Sequence, residues 1–125
     1  MAKDIYHNTV KTALQKDDWT MTPDPLTLKI GVRSAYVDLG AEKLFAAEKK
    51  SQRIAVEVKS SVSPSPVKDL ARDLGQYIMY SQILERQEER RTLYLAIPQA
   101  VFADFFAEEL PQLMIELNRL IRKLE

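Results

Sequence analysis

Glu57 and Lys59 stand two apart in the run IAVEVKS, among aliphatic residues. Strand side chains alternate faces, so Ala55, Glu57 and Lys59 share one side while Ile54, Val56 and Val58 share the other. A carboxylate and an ammonium taken into a core cost several kcal/mol unless something compensates them. A structural ion pair on a half-exposed strand is the plain explanation. The chemical one adds Asp38, upstream in YVDLGAEK between Val37 and Leu39, as a second carboxylate. Two carboxylates with an open coordination position suit a hard, oxygen-liganded cation such as Mg²⁺ or Mn²⁺. A lysine beside them would orient or help deprotonate a water and stabilise charge on a phosphate.

Further residues support the chemical reading. Gln76 and Tyr80 form Q-x-x-x-Y on the helix expected after this strand, four apart and so on one helix face. They are expected beside its apolar stripe, within reach of the sheet edge. His7, the single histidine, falls at the flank of the first helix and cannot build a multi-histidine metal site. Asp24, between two prolines in TPDP, reads as a turn residue, which leaves Asp38 ahead of it as the first carboxylate. Glu42 and Glu48 are fallback carboxylates, Glu48 lying close to the turn. One difficulty is spacing. With a hairpin turn near Lys50 and Ser51, a regular ladder sets Glu57 nearer Leu44 than Asp38. A bend or bulge around Gly40 is then needed to fold Asp38 back.

The elements that must position these residues follow from hydrophobic periodicity. Residues 3 to 15 read as an amphipathic helix with Tyr6, Val10, Ala13 and Leu14 on one side. TMTPDP is an extended piece with a turn. LTLKIGV and AYVDLG read as strands. KLFAAEKKSQRIAVEVKS reads as a β-hairpin with a polar centre. Ser65 and Pro66 are suited to the N-cap and first position of a helix running to about Gln87. Its expected buried stripe is Val67, Leu70, Ala71, Leu74, Tyr77, Ile78, Ser81 and Leu84. TLYLAIP is a short buried strand. Residues 99 to 109 and 111 to 124 read as helices broken at Pro111. No repeat or low-complexity tract interrupts the pattern. One layer of mixed sheet flanked by helices is the expected packing.

The chain has 125 residues, enough for a single domain over 1–125. Charged residues make up 29% and the formal net charge is zero, which gives no long-range attraction to DNA or an anionic membrane. Lys49, Lys50 and Arg53 at the expected hairpin tip are the best local basic cluster. There are no cysteines, which excludes disulfides and thiol chemistry. The start lacks the apolar run of a signal peptide, and no run is long enough to span a membrane, so a cytoplasmic protein is expected. An apolar C-terminal segment, LPQLMIELNRLI, and exposed sheet edges lead us to expect a homodimer.

Asp38, then Glu57-Val58-Lys59, then Gln76 and Tyr80 resemble the PD-(D/E)xK nuclease superfamily, and in particular its branch of Holliday-junction resolvases and RecB-type nucleases. The longer series YVDLGAEKLFAAEKKSQRIAVEVKS, DLGQYIMYSQIL and LYLAIP, with DIYHNTVKTAL and DPLTL before it, resembles the XisH family of fdxN element excision controlling factors over about residues 3 to 110. The resemblance implies a restriction-endonuclease-like α/β fold in the order α-β-β-β-α-β-α. It implies a role supporting excision of a DNA element during heterocyst differentiation in cyanobacteria, beside a recombinase and a XisI-like partner. It also implies a site in which Asp38 and Glu57, with the Val58 carbonyl, hold Mg²⁺. Lys59 would polarise the attacking water, Gln76 and Tyr80 would orient substrate or Lys59, and His7 would support the site. A catalytically inactive DNA- or protein-binding regulator is the alternative. The family continues into a final strand where this chain reads ELNRLIRKLE, a helical pattern.

Overall fold

A computed structural model describes residues 6–45, 50–59, 65–87 and 90–118. The described elements begin with α1 (His7–Lys16), β1 (Thr20–Met21), β2 (Leu26–Ile30) and β3 (Arg33–Val37). They continue with β4 (Leu39–Phe45), β5 (Lys50–Val58), α2 (Pro66–Arg86) and β6 (Thr92–Ala96). α3 (Gln99–Asp104), a 3₁₀ turn (Phe105–Ala107) and α4 (Glu109–Asn118) complete them. The result is a mixed α/β fold with two sheets. β1-β4-β5-β6 form the larger one, and β2-β3 form a separate hairpin. β4 and β5 are antiparallel, while β5 and β6 are parallel. A parallel pair needs a crossover, and α2 supplies it.

β5 is the central ruler of the core. Its Ile54, Val56 and Val58 pack on one side with Leu14 of α1 and with Leu39 and Ala41 of β4. Ala55 turns to the other side and packs with Leu28, Val37, Leu93 and the α2 residues Tyr80 and Leu84. The alternation read in IAVEVKS is therefore real, and Glu57 and Lys59 belong to the α2 side. Fully burying each such aliphatic contributes roughly 1.5–3 kcal/mol. Arg91, just before β6, donates to the carbonyls of Ile54 at 3.1 Å and Ala41 at 3.4 Å.

Three expectations are corrected. The hairpin turn does not lie at Lys50 and Ser51. Phe45 pairs with Lys50 and Leu44 with Ser51, so both are strand residues. On α2, Val67 and Ile78 are exposed, and so is Ala71, while Tyr80 is buried at 8% exposure. The helix is rotated from the expected stripe, and the face against the sheet runs through Leu70, Asp73, Gln76, Tyr80 and Leu84. Pro111 does not break two helices. It sits buried in the first turn of α4, where proline is tolerated. The segment TMTPDP also contributes β1, which pairs Thr20 with Glu42 and Met21 with Ala41. No helix among the described residues is long and apolar enough to cross a membrane. Glu48, Lys49, residues 3 to 5 and the tail beyond Asn118 lie outside the described residues.

Candidate active site

Asp38 occupies a bend where the chain leaves the small sheet and enters the large one. Its neighbours Val37 and Leu39 are completely buried and hold it there from both sides. Leu39 pairs with Val56 and Gly40 with Ala55, so extending that regular ladder by one step sets Asp38 opposite Glu57. No bulge at Gly40 is needed. Gly40 has a different role. A Cβ there would lie 2.7 Å from Thr22 Oγ1, and the Thr22 amide donates to the Gly40 carbonyl at 2.9 Å.

Each of the two carboxylates is locked to backbone on the facing segment. The Asp38 amide donates to Glu57 Oε1 at 2.8 Å, and the Val58 amide donates to Asp38 Oδ2 at 2.8 Å. Val58 thus enters the site through its N–H. Glu57 is only 6% exposed. Burial, then the charge of Asp38, pushes its carboxyl up to about 7, against the pull of its hydrogen bonds and of Lys59. The same burial, with Glu57 and Asp38 next, raises the Tyr80 phenol.

Lys59 Nζ donates to Gln76 Oε1 at 2.9 Å and lies 3.6 Å from Glu57 Oε2. It also lies 3.4 Å from Asp73 Oδ1, a residue not anticipated from sequence. Asp73 precedes Gln76 by three positions and Tyr80 by seven, so helical spacing alone places it on their face. Arg72 reaches the same Asp73 oxygen at 3.6 Å. Asp38, Glu57, Lys59, Gln76 and Tyr80 therefore converge where β5 ends against the middle of α2.

His7 is buried and paired elsewhere. Its Nε2 stands 2.8 Å from Asp24 Oδ2, which Lys11 approaches at 3.5 Å, and its Nδ1 is buried without a hydrogen-bond partner among the described residues. Asp24 is thus more than a turn residue. The loop carrying it is pinned by Thr22 at Gly40 and by Leu26 at Val37, so it runs alongside Asp38. Glu42 is taken by Arg53, directly across the ladder, at 3.5 Å. That pair removes one fallback carboxylate and neutralises one member of the basic cluster. Among the described residues no group of three histidines, cysteines or acids is placed to hold a metal ion.

Known proteins resemble this chain in sequence and fold. A model of the XisH protein family matches residues 1–122. The chain belongs to the XisH family. A crystal structure of an XisH family protein from Nostoc punctiforme PCC 73102 superposes with a TM-score of 0.80 at 38% identity, covering 94% of this chain and 87% of that one. A crystal structure of a fdxN element excision controlling factor protein from Anabaena variabilis matches with the same TM-score, identity and coverage. No curated protein matches significantly. The XisH chain shares its fold with both structures over nearly its whole length.

Proposed function

We propose that this XisH-family chain acts as an fdxN-type excision controlling factor and that its site hydrolyses DNA phosphodiester bonds with Mg²⁺ or Mn²⁺. The fold is read as restriction-endonuclease-like, with the order α-β-β-β-α-β-α embedded in the longer series of elements. The observation that carries the reading is the opposition of Asp38 and Glu57 with Lys59 beside them. The donor set fits a divalent cation in charge. Two carboxylates share a buried corner, and Glu57 carries a raised pKa that positive charge would relieve. Magnesium is commonly held by one or two carboxylates and keeps several waters, so two acids with the Val58 carbonyl suffice. Bound there, the cation supplies Lewis-acid charge at the scissile phosphate.

The remaining work falls to this chain. Lys59, aimed by the Gln76 amide oxygen at 2.9 Å, holds the attacking water and stabilises charge on the phosphate oxygens. Tyr80 closes the floor of the site beneath both carboxylates. His7 and Asp24 brace the loop that runs past Asp38. DNA is the substrate, and a recombinase and a XisI-like protein are the partners.

The test is Mg²⁺-dependent cleavage of branched, flapped and duplex DNA. Wild type is expected to cut at least one of them, with Lys59→Ala and Asp38→Asn inactive. No cutting of any substrate, or cutting untouched by both variants, overturns the reading.

One observation favours a second reading, a nuclease-like regulator without cleavage. Lys59 is already enclosed by Glu57, Asp73 and Gln76, a charge network that closes on itself. With zero net charge, such a protein would act through a protein partner. Pull-down with the XisI-like partner beside a salt-dependent DNA titration separates the two.

A further inference from the structure

Part of the apolar series read as the buried stripe of α2 faces outward, while its Leu70 and Leu84 stay in the core. Val67 is 55% exposed, Ile78 39% and Met79 49%, with Ala71 and Gly75 exposed between them. Gly75 lies mid-helix, where glycine costs about 1 kcal/mol relative to alanine. Nothing among the described residues explains it, because a Cβ there would meet none of their atoms within 4 Å. A helix that keeps a destabilising glycine on an exposed apolar face has room for another backbone to come close.

We propose that this face is a two-fold interface with a second copy of the chain, the two α2 helices antiparallel. The face is self-complementary, as an isologous contact requires. Gly75 with Ile78, Leu74 with Met79, and Lys68 with Glu85 share one midpoint along the helix. An antiparallel partner that seats its Ile78 over Gly75 therefore brings the two Leu74 side chains together on one flank of the seam and the two Met79 side chains together on the other. The same register sets Lys68 beside Glu85 of the partner subunit, twice by symmetry. Lys68 and Glu85 are both exposed. The inner face of α2 keeps Asp73, Gln76 and Tyr80, so the two sites lie back to back. This interface does not depend on the proposed reaction.

Sedimentation velocity of the full chain at tens of micromolar tests it, with circular dichroism as the folding control. Wild type is expected at the mass of two chains. Ile78→Glu is expected at the mass of one with its helix signal retained. Gly75→Leu, which removes the helix-weakening residue, is expected to melt no lower yet also run as one chain. Lys68→Glu should weaken the dimer at least tenfold, and the double exchange of Lys68→Glu with Glu85→Lys should restore it. A one-chain mass for wild type, a dimer that survives Ile78→Glu and Gly75→Leu, or a failed restoration by the double exchange overturns the proposal.

Discussion

The Asp38 amide donates to Glu57 Oε1 at 2.8 Å, so the two acids meet through backbone as well as charge. A hydrogen bond to a carboxylate favours its ionised form, yet here burial and the neighbouring Asp38 outweigh it and Glu57 stays raised at about 7. The site is held in place at an electrostatic cost, a balance expected of a pair arranged for a cation.

That balance makes stability depend on pH. A carboxyl raised in the fold binds its proton more tightly there than in the unfolded chain. Its contribution is full below the ordinary value of 4.5 and is lost as pH rises through about 7. Metal-free protein should lose up to about 3 kcal/mol over that window, and Glu57→Gln should flatten the loss. Urea titrations at stepped pH measure it. Cation binding has the opposite sign, since it needs the ionised form, so Mn²⁺ affinity by calorimetry should rise through the same window.

Lys59 lies within 3.6 Å of Glu57 and 3.4 Å of Asp73. Lys59→Met leaves Glu57 without its cation and Asp73 with Arg72 alone. It should destabilise the metal-free fold by about 1–3 kcal/mol and raise the Glu57 pKa further, because the attraction that lowers it is gone. Thermal melts and carboxyl-resolved NMR titration give the two readouts.

Tyr80 tests whether the Q-x-x-x-Y tyrosine is packing or chemistry. It is 8% exposed within the core on the α2 side. Tyr80→Ala should cost about 3–5 kcal/mol, as large aromatic truncations do. Tyr80→Phe keeps the packing and should cost below about 1.5 kcal/mol. If the phenol takes part in the proposed cleavage, Tyr80→Phe will lower kcat with little change in melting temperature.

Asp24 accepts from a buried histidine. Asp24→Ala leaves the His7 ring without its partner and should cost about 1–3 kcal/mol, the penalty of an unsatisfied buried polar group. Chemical denaturation of the variant against wild type checks this. Asp24→Asn, which can still accept a hydrogen bond, should recover part of the loss.

The acids and the lysine of the site were legible in the sequence, while the register joining them was not. Leu44 and Phe45 look like buried strand residues, but they are 70% and 38% exposed near the hairpin end. They therefore drew the expected turn toward Lys50, and Asp38 seemed out of reach. α2 misled for a related reason. Its sheet-facing side carries Asp73, Gln76 and Tyr80, so the apolar period pointed to a face rotated from the buried one, sharing only Leu70 and Leu84 with it. Hydrophobic patterning reports the core only where the inward residues are apolar, and functional sites are where that condition fails. Nothing in local spacing joined His7 to Asp24, because their contact spans different elements.

The unbroken pairing from Leu39–Val56 to Phe45–Lys50 has a consequence for how such chains can diverge. Residues added or lost between Phe45 and Lys50 leave the distance from Asp38 to its partner untouched, because the count starts at the other end. One residue inserted between Lys50 and Val56 changes everything beyond it. Glu57 and Lys59 would swing to the α1 side and an aliphatic would arrive opposite Asp38. Variation in length is therefore expected to be tolerated at the tip and purged from the strand.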